Sequence, residues 1–299
     1  MFDESWFGGV PAVGELSDDE KAAYLREVGD PEALAAAAGE PTDRLQLPFT
    51  TKRPFDHTGS AIGYIQPGDG PHHAIVDPRE IGPERGLIGA KVAVRLTQAL
   101  VVRYPGRGVH EILLHFGAGA GGEARPEHNF GATIRCADGN QMPVGGQLLF
   151  SGIEVAEDGL HIAMFTVNVH SQADAQLLQA LQGDVFSRGL DLVASAGPVV
   201  GLLSATLVSL ATAIAKGSEN RPVQRGLLAL DVGRTLLDSP KLRLGSYVLA
   251  QAPAEVDGRP WSWNDYVYDR GRNAIVYARD PAALIPFNYV AVGIQPLHG

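Results

Sequence analysis

Two hydrophobic periods divide the chain. Over residues 17–38 the apolar positions fall at helical spacing, with Ala22, Ala23, Leu25 and Val28 supplying the apolar side that an amphipathic helix buries. Ser17 stands three residues before Glu20, the spacing of a capping box, and Gly29 ends the segment. Asp30-Pro31 then offers a second N-cap with proline at the first helical position, and the alanine-rich run behind it stops at Gly39. Residues 40–44 read as a linker. The pattern predicts a helical arm over residues 1–45.

From about Leu45 the period drops to two. Val92, Val94 and Leu96 fall on one face of residues 91–102, with Ala93, Arg95 and Thr97 on the other. In residues 109–116, His110, Ile112, Leu114 and Phe116 share a face. Similar runs cover 130–136, 147–155, 160–170, 226–232, 244–250, 274–278 and 289–294, and Gly-rich turns separate several of them. Short alternating segments at this spacing predict an antiparallel β-sandwich over residues 46–299, a mainly β fold and not a parallel α/β sheet. The architecture resembles C2-type sandwiches at that general level. No turn carries the Gly-x-Gly-x-x-Gly or Gly-Lys-Ser/Thr pattern of a phosphate cradle.

The alternation gives way between about 172 and 217, where helices are expected near 173–187 and 199–215. Residues 192–215 run for 24 positions without a charge. As a helix this run would be about 36 Å long, enough to cross a bilayer, although Pro198 marks a start or kink that shortens it. Its residues are sorted by size. Gly197, Gly201, Ala205, Ser209 and Ala213 recur every four positions, a stripe of small residues that lets another backbone approach closely. Leu203, Leu207, Leu210 and Ile214 form a large apolar seam beside it.

Charge changes the picture of the arm. The chain has a net charge of −10, and residues 1–45 hold eleven Asp and Glu against three Lys and Arg. The body is therefore close to neutral, which opposes general nucleic-acid binding, since that requires clustered cations. An acidic arm suits docking on a basic partner or keeping an assembly soluble. The one cysteine, Cys136, shares a strand face with Phe130, Ala132 and Ile134 and reads as a buried thiol. A chain without an internal disulfide, and a start lacking a basic and an apolar signal region, suit the cytoplasm.

Candidate chemistry is sparse. His110 and His115 are five apart, which on a strand points them to opposite faces. Glu111 and His115 share a face but lie roughly 13 Å apart along the strand. His57, His72, His73 and Asp77 are ligand types that zinc accepts, at spacings that match no known pattern. The Asp-Gly turns at Asp138, Asp158 and Asp257 read as hairpin turns and not as calcium loops. Trp261, Trp263, Tyr266 and Tyr268 crowd four aromatic rings into eight residues, a cluster that closes a core or stacks on a ligand. No nucleophile motif is present, and no cofactor is expected. Together these features describe a non-enzymatic binding or assembly protein whose partner is another protein or a second copy. The alternatives are a membrane-active effector that uses residues 192–215, conditionally inserted, and a hydrolase or metal enzyme with an unrecognised site.

Overall fold

The computed structural model describes residues 9–38, 53–120, 128–171, 174, 213–214, 220–233, 238–256 and 258–297. Two short helices come first, α1 (Asp18–Glu27) and α2 (Pro31–Ala37). Ser17 caps α1 by accepting the Glu20 amide, and the Glu20 carboxylate returns to the Ser17 amide. Asp30 caps α2 by accepting the Ala33 amide at 3.0 Å. The caps satisfy amides that have no partner inside a helix.

The rest is mainly β. The strands are β1 (Ser60–Ile65), β2 (His72–Val76), β3 (Lys91–Val101), β4 (Val109–Ala120), β5 (His128–Ala137), β6 (Asn140–Gln141), β7 (Gln147–Glu154) and β8 (Leu160–Asn168). They continue as β9 (Arg221–Leu230), β10 (Gly245–Gln251), β11 (Glu255–Val256), β12 (Arg259–Pro260), β13 (Tyr266–Asp269), β14 (Ala274–Tyr277) and β15 (Tyr289–Pro296). The larger sheet has nine strands in the order β14-β13-β2-β1-β10-β15-β3-β6, with β7 also paired to β3. The smaller has four, β5-β4-β8-β9, and the named pairings in both are antiparallel.

Alternation along these strands decides what each face buries. Val92, Val94 and Leu96 of β3, Ile112, Leu114 and Phe116 of β4, Tyr247 and Leu249 of β10, and Val290 and Val292 of β15 join one buried cluster. Both sheets thus contribute to a single core. The opposite face of β10 and β15, at Val248, Ala250, Tyr289 and Ala291, builds a second cluster with Trp263, Tyr266, Ile275 and Phe287. The larger sheet curls around that second cluster. Asn273, in the turn between β13 and β14 at one end of the strand order, accepts a 2.9 Å bond from Gln98 of β3 near the other end.

The arm is packed into the main core. Val13, Leu16, Tyr24, Leu25 and Ala33 are buried in the same cluster as the strand residues above. The linker expected at 40–44 lies outside the described residues, as do the helices expected near 173–187 and 199–215 apart from residues 174, 213 and 214, which are helical.

Several strand expectations need correction. β1, β2 and β13 are absent from the sequence reading. In β1 the alternation is broken by Gly63, where a Cβ would stand 2.6 Å from both Ile75 and Trp263 side chains. The run expected at 160–170 ends at Asn168, because Asn220 accepts the amides of His170 and Ser171 in place of a strand partner. The run expected to begin at 226 begins at Arg221 and takes in Pro222, which an edge strand tolerates because its outward N–H has no partner to lose. β9 is such an edge.

Candidate functional site

Two places in the fold concentrate unusual side chains. The first is a polar hub where the arm meets the loop after β3. Asp30 is fully buried, and both its carboxylate oxygens lie 2.9 Å from Nη2 of Arg103. One of them also accepts the Gly106 amide at 3.0 Å. Gly106 has φ +100, and a Cβ there would meet the His170 ring at 2.9 Å, so the loop needs glycine at this point. Arg103 also donates to Asp138, whose other oxygen accepts the Tyr104 amide and His110 Nε2, each at 2.9 Å.

His110 is held at both nitrogens. Its Nδ1 lies 3.1 Å from the side-chain amide nitrogen of Asn168, which also donates to the Pro105 carbonyl. With the Asn168 amide donating to Nδ1, Nε2 is the nitrogen that donates to Asp138, so both ring positions are used. Burial works to raise the Asp138 carboxyl, but the hydrogen bond from His110, the Tyr104 amide and Arg103 outweigh it and hold the group below the usual carboxylate range. The nearby Cys136 thiol donates to the carbonyls of Ala137 and Asn140 and is pushed up by burial and then by Asp138, which disfavours a nucleophilic thiolate. The hub holds the arm to the sheets, and its side chains are directed at one another.

The second place is the outer face of the four-stranded sheet. Leu113 of β4 and Phe165 and Val167 of β8 point away from the main core and form a separate cluster with Val10, Val169 and Ile214. His115 shares this face, stacks on Phe165 at 4.9 Å and is buried, with no hydrogen-bond partner at Nε2. Ile214 is 2% exposed, while its neighbour Ala213 is exposed. A residue of the large apolar seam therefore rests on the sheet, and a residue of the small-residue stripe faces outward.

The remaining candidates are dispersed. His57 is buried with its ring edge on Phe287, His72 faces Asp269 at 3.5 Å, His73 meets the carbonyls of Gln66 and Gly70, and Asp77 holds Arg79. Among the described residues no group of three His, Cys, Asp or Glu side chains is placed to hold a metal ion. Trp263 and Tyr266 are buried inside the curl of the larger sheet, and Trp261 and Tyr268 pack against that core. Trp261 stacks on Tyr266 at 5.2 Å and meets Trp263 edge-on at 5.3 Å, while the Trp263 indole donates to the Ile62 carbonyl. The aromatic run thus fills a core, because the curl needs large rings to close around. Gly197, Gly201, Ala205 and Ser209 lie outside the described residues.

The residues that sequence reading missed are Asp30, Arg103 and Asp138. Asp30 stands as a helix cap and Asp138 as a turn residue, and both roles are real. The one available signal was an arginine two residues before a Gly-rich turn, which is weak by itself. Comparison of the chain with protein-family models, with curated proteins and with solved structures finds no match.

Proposed function

We propose that this chain is a non-enzymatic assembly protein, a β-sandwich scaffold of C2-like outline that associates through the small-residue side of its apolar segment. The observation that carries the reading is the contrast at the described end of that segment, Ile214 buried on the sheet and Ala213 exposed. A helix that is apolar all round needs cover on more than one side. Helical spacing places Leu203, Leu207 and Leu210 with Ile214, and Gly197, Gly201, Ala205 and Ser209 with Ala213. Ile214 then has the sheet, and Ala213 is left open to a partner. A stripe of small residues is complementary to itself across a two-fold axis, so a second copy of the chain is the favoured partner, ahead of a helix of another protein. Nucleic acid is disfavoured by the net charge of −10, and the lone, buried Cys136 suits a cytoplasmic setting.

Cross-linking tests the reading. Ala213→Cys in the full chain should give a covalent dimer with a short bis-maleimide, while wild type, whose thiol is buried, should not. A cross-link yield no greater than that of an exposed control such as Val109→Cys counts against a dimer through this stripe. A second reading, a membrane-active effector, rests on the 24-residue charge-free run. Among the described residues no helix is long and apolar enough to cross a membrane. Release of dye from vesicles of mixed neutral and anionic phospholipid would favour that reading over assembly.

A further inference from the structure

The outer face of the four-stranded sheet carries a polar group that its apolar neighbours do not explain. His115 lies between Leu113 and Gly117 on β4, stacked 4.9 Å from Phe165, and is 4% exposed. Its Nε2 is buried and unpartnered. Leaving a buried polar atom without a partner has a cost that a phenylalanine at this position would avoid. Phe165, on which it stacks, belongs to a cluster completed by Val10 and Ile214, from two distant parts of the chain.

We propose that this contact is an acid-sensitive latch: adding a proton to the unpartnered imidazole of His115, within the apolar seat it shares with Phe165, releases Val10 and Ile214 from the sheet. A charged imidazole needs water or a carboxylate; Nε2 is closed to solvent, and among the described residues no carboxylate is bonded to it. Among the described residues, the charged and titratable groups on the same face are Glu111 of β4, Arg135 of β5, His161 of β8 and Arg225 of β9. Arg225 is paired with Glu15 and also donates to the Val10 carbonyl. Burial alone moves His115, down to about 4 from its ordinary 6.5. Between those two values an open seat binds a proton that the closed seat refuses, so falling pH favours opening across that window and adds nothing below it. A single proton taken up only on opening raises the open population by about tenfold per pH unit.

Histidine and amide NMR on the full-length protein tests this. In wild type the protection of the Ile214 amide against hydrogen exchange, corrected for intrinsic exchange, should fall about tenfold per pH unit between roughly pH 6 and 4.5. The amides of Leu113 and Val167, inside the sheet, should hold their protection. His115→Phe keeps the stack on Phe165 and removes the titration, so the Ile214 slope should vanish. His170→Gln should leave the slope in place. An equal slope in His115→Phe and wild type would overturn the latch. Should His115→Phe fail to fold, the wild-type imidazole decides: titration near 6.5 in the closed protein contradicts the proposal, and titration at least one unit lower supports it.

Discussion

Asp30 and Arg103, 73 residues apart in the chain, join the N-terminal arm to the sheets through a buried contact in which both carboxylate oxygens lie 2.9 Å from one guanidinium nitrogen. Asp30 is also the N-cap of α2 and an acceptor for the Gly106 amide. One side chain therefore starts a helix, fixes a loop and neutralises a half-buried cation.

Asp30→Ala should destabilise the protein by about 3–5 kcal/mol, the usual cost of leaving one partner of a buried ion pair behind. Deleting residues 1–38 should go further and abolish the cooperative thermal transition, because Val13, Leu16, Tyr24 and Leu25 leave the main core with it. Differential scanning calorimetry checks both. A truncated protein that melts cooperatively would show that the arm is a separate unit.

Asp138 sets a pH dependence of known sign. Its carboxyl is held below the ordinary range in the folded protein, through the His110, Tyr104 and Arg103 contacts that outweigh burial. The stability it contributes is therefore complete above the unfolded value of about 3.9 and is lost as pH falls through the lower folded value. Urea midpoints of wild type and Asp138→Asn should differ by a constant amount between pH 5 and 7 and converge in acid. A difference that grows on acidification would reverse the assigned sign.

Gly63 and Trp263 are matched across the curl. A Cβ at Gly63 would stand 2.6 Å from the Trp263 ring and 2.6 Å from Ile75. Gly63→Ala should cost about 1–3 kcal/mol by overpacking, and Trp263→Ala about 3–5 kcal/mol by cavity formation. The double variant should be more stable than the sum of the two losses implies, since each change relieves the other. Additive losses would place the two residues out of contact.

Much of the fold was legible because its signals are local. The Ser17–Glu20 box, the Asp30-Pro31 start and the alternation at Val92, Val94 and Leu96 depend on neighbours within a few residues, and each is present. The opposite facing of His110 and His115 follows from strand geometry in the same way. What could not be read depends on distant partners. Nothing around Asp30 announces Arg103, and nothing around Gly63 announces Trp263, 200 positions on. The Trp261–Tyr268 run reads either as core packing or as a binding surface until the sheet is seen to curl around it. Its charged neighbours Arg259 and Asp265 suggest exposure, although the rings themselves face inward.

The central claim is assembly through the small-residue side of the apolar segment, and sedimentation velocity across a concentration series tests it most directly. Wild type should sediment as a species larger than the 31.7 kDa monomer and dissociate on dilution. Ala213→Leu changes an exposed position, so it should leave the thermal transition in place and shift the protein toward monomer. Wild type that remains monomeric at every concentration, or an Ala213→Leu variant that associates as wild type does, would contradict the claim.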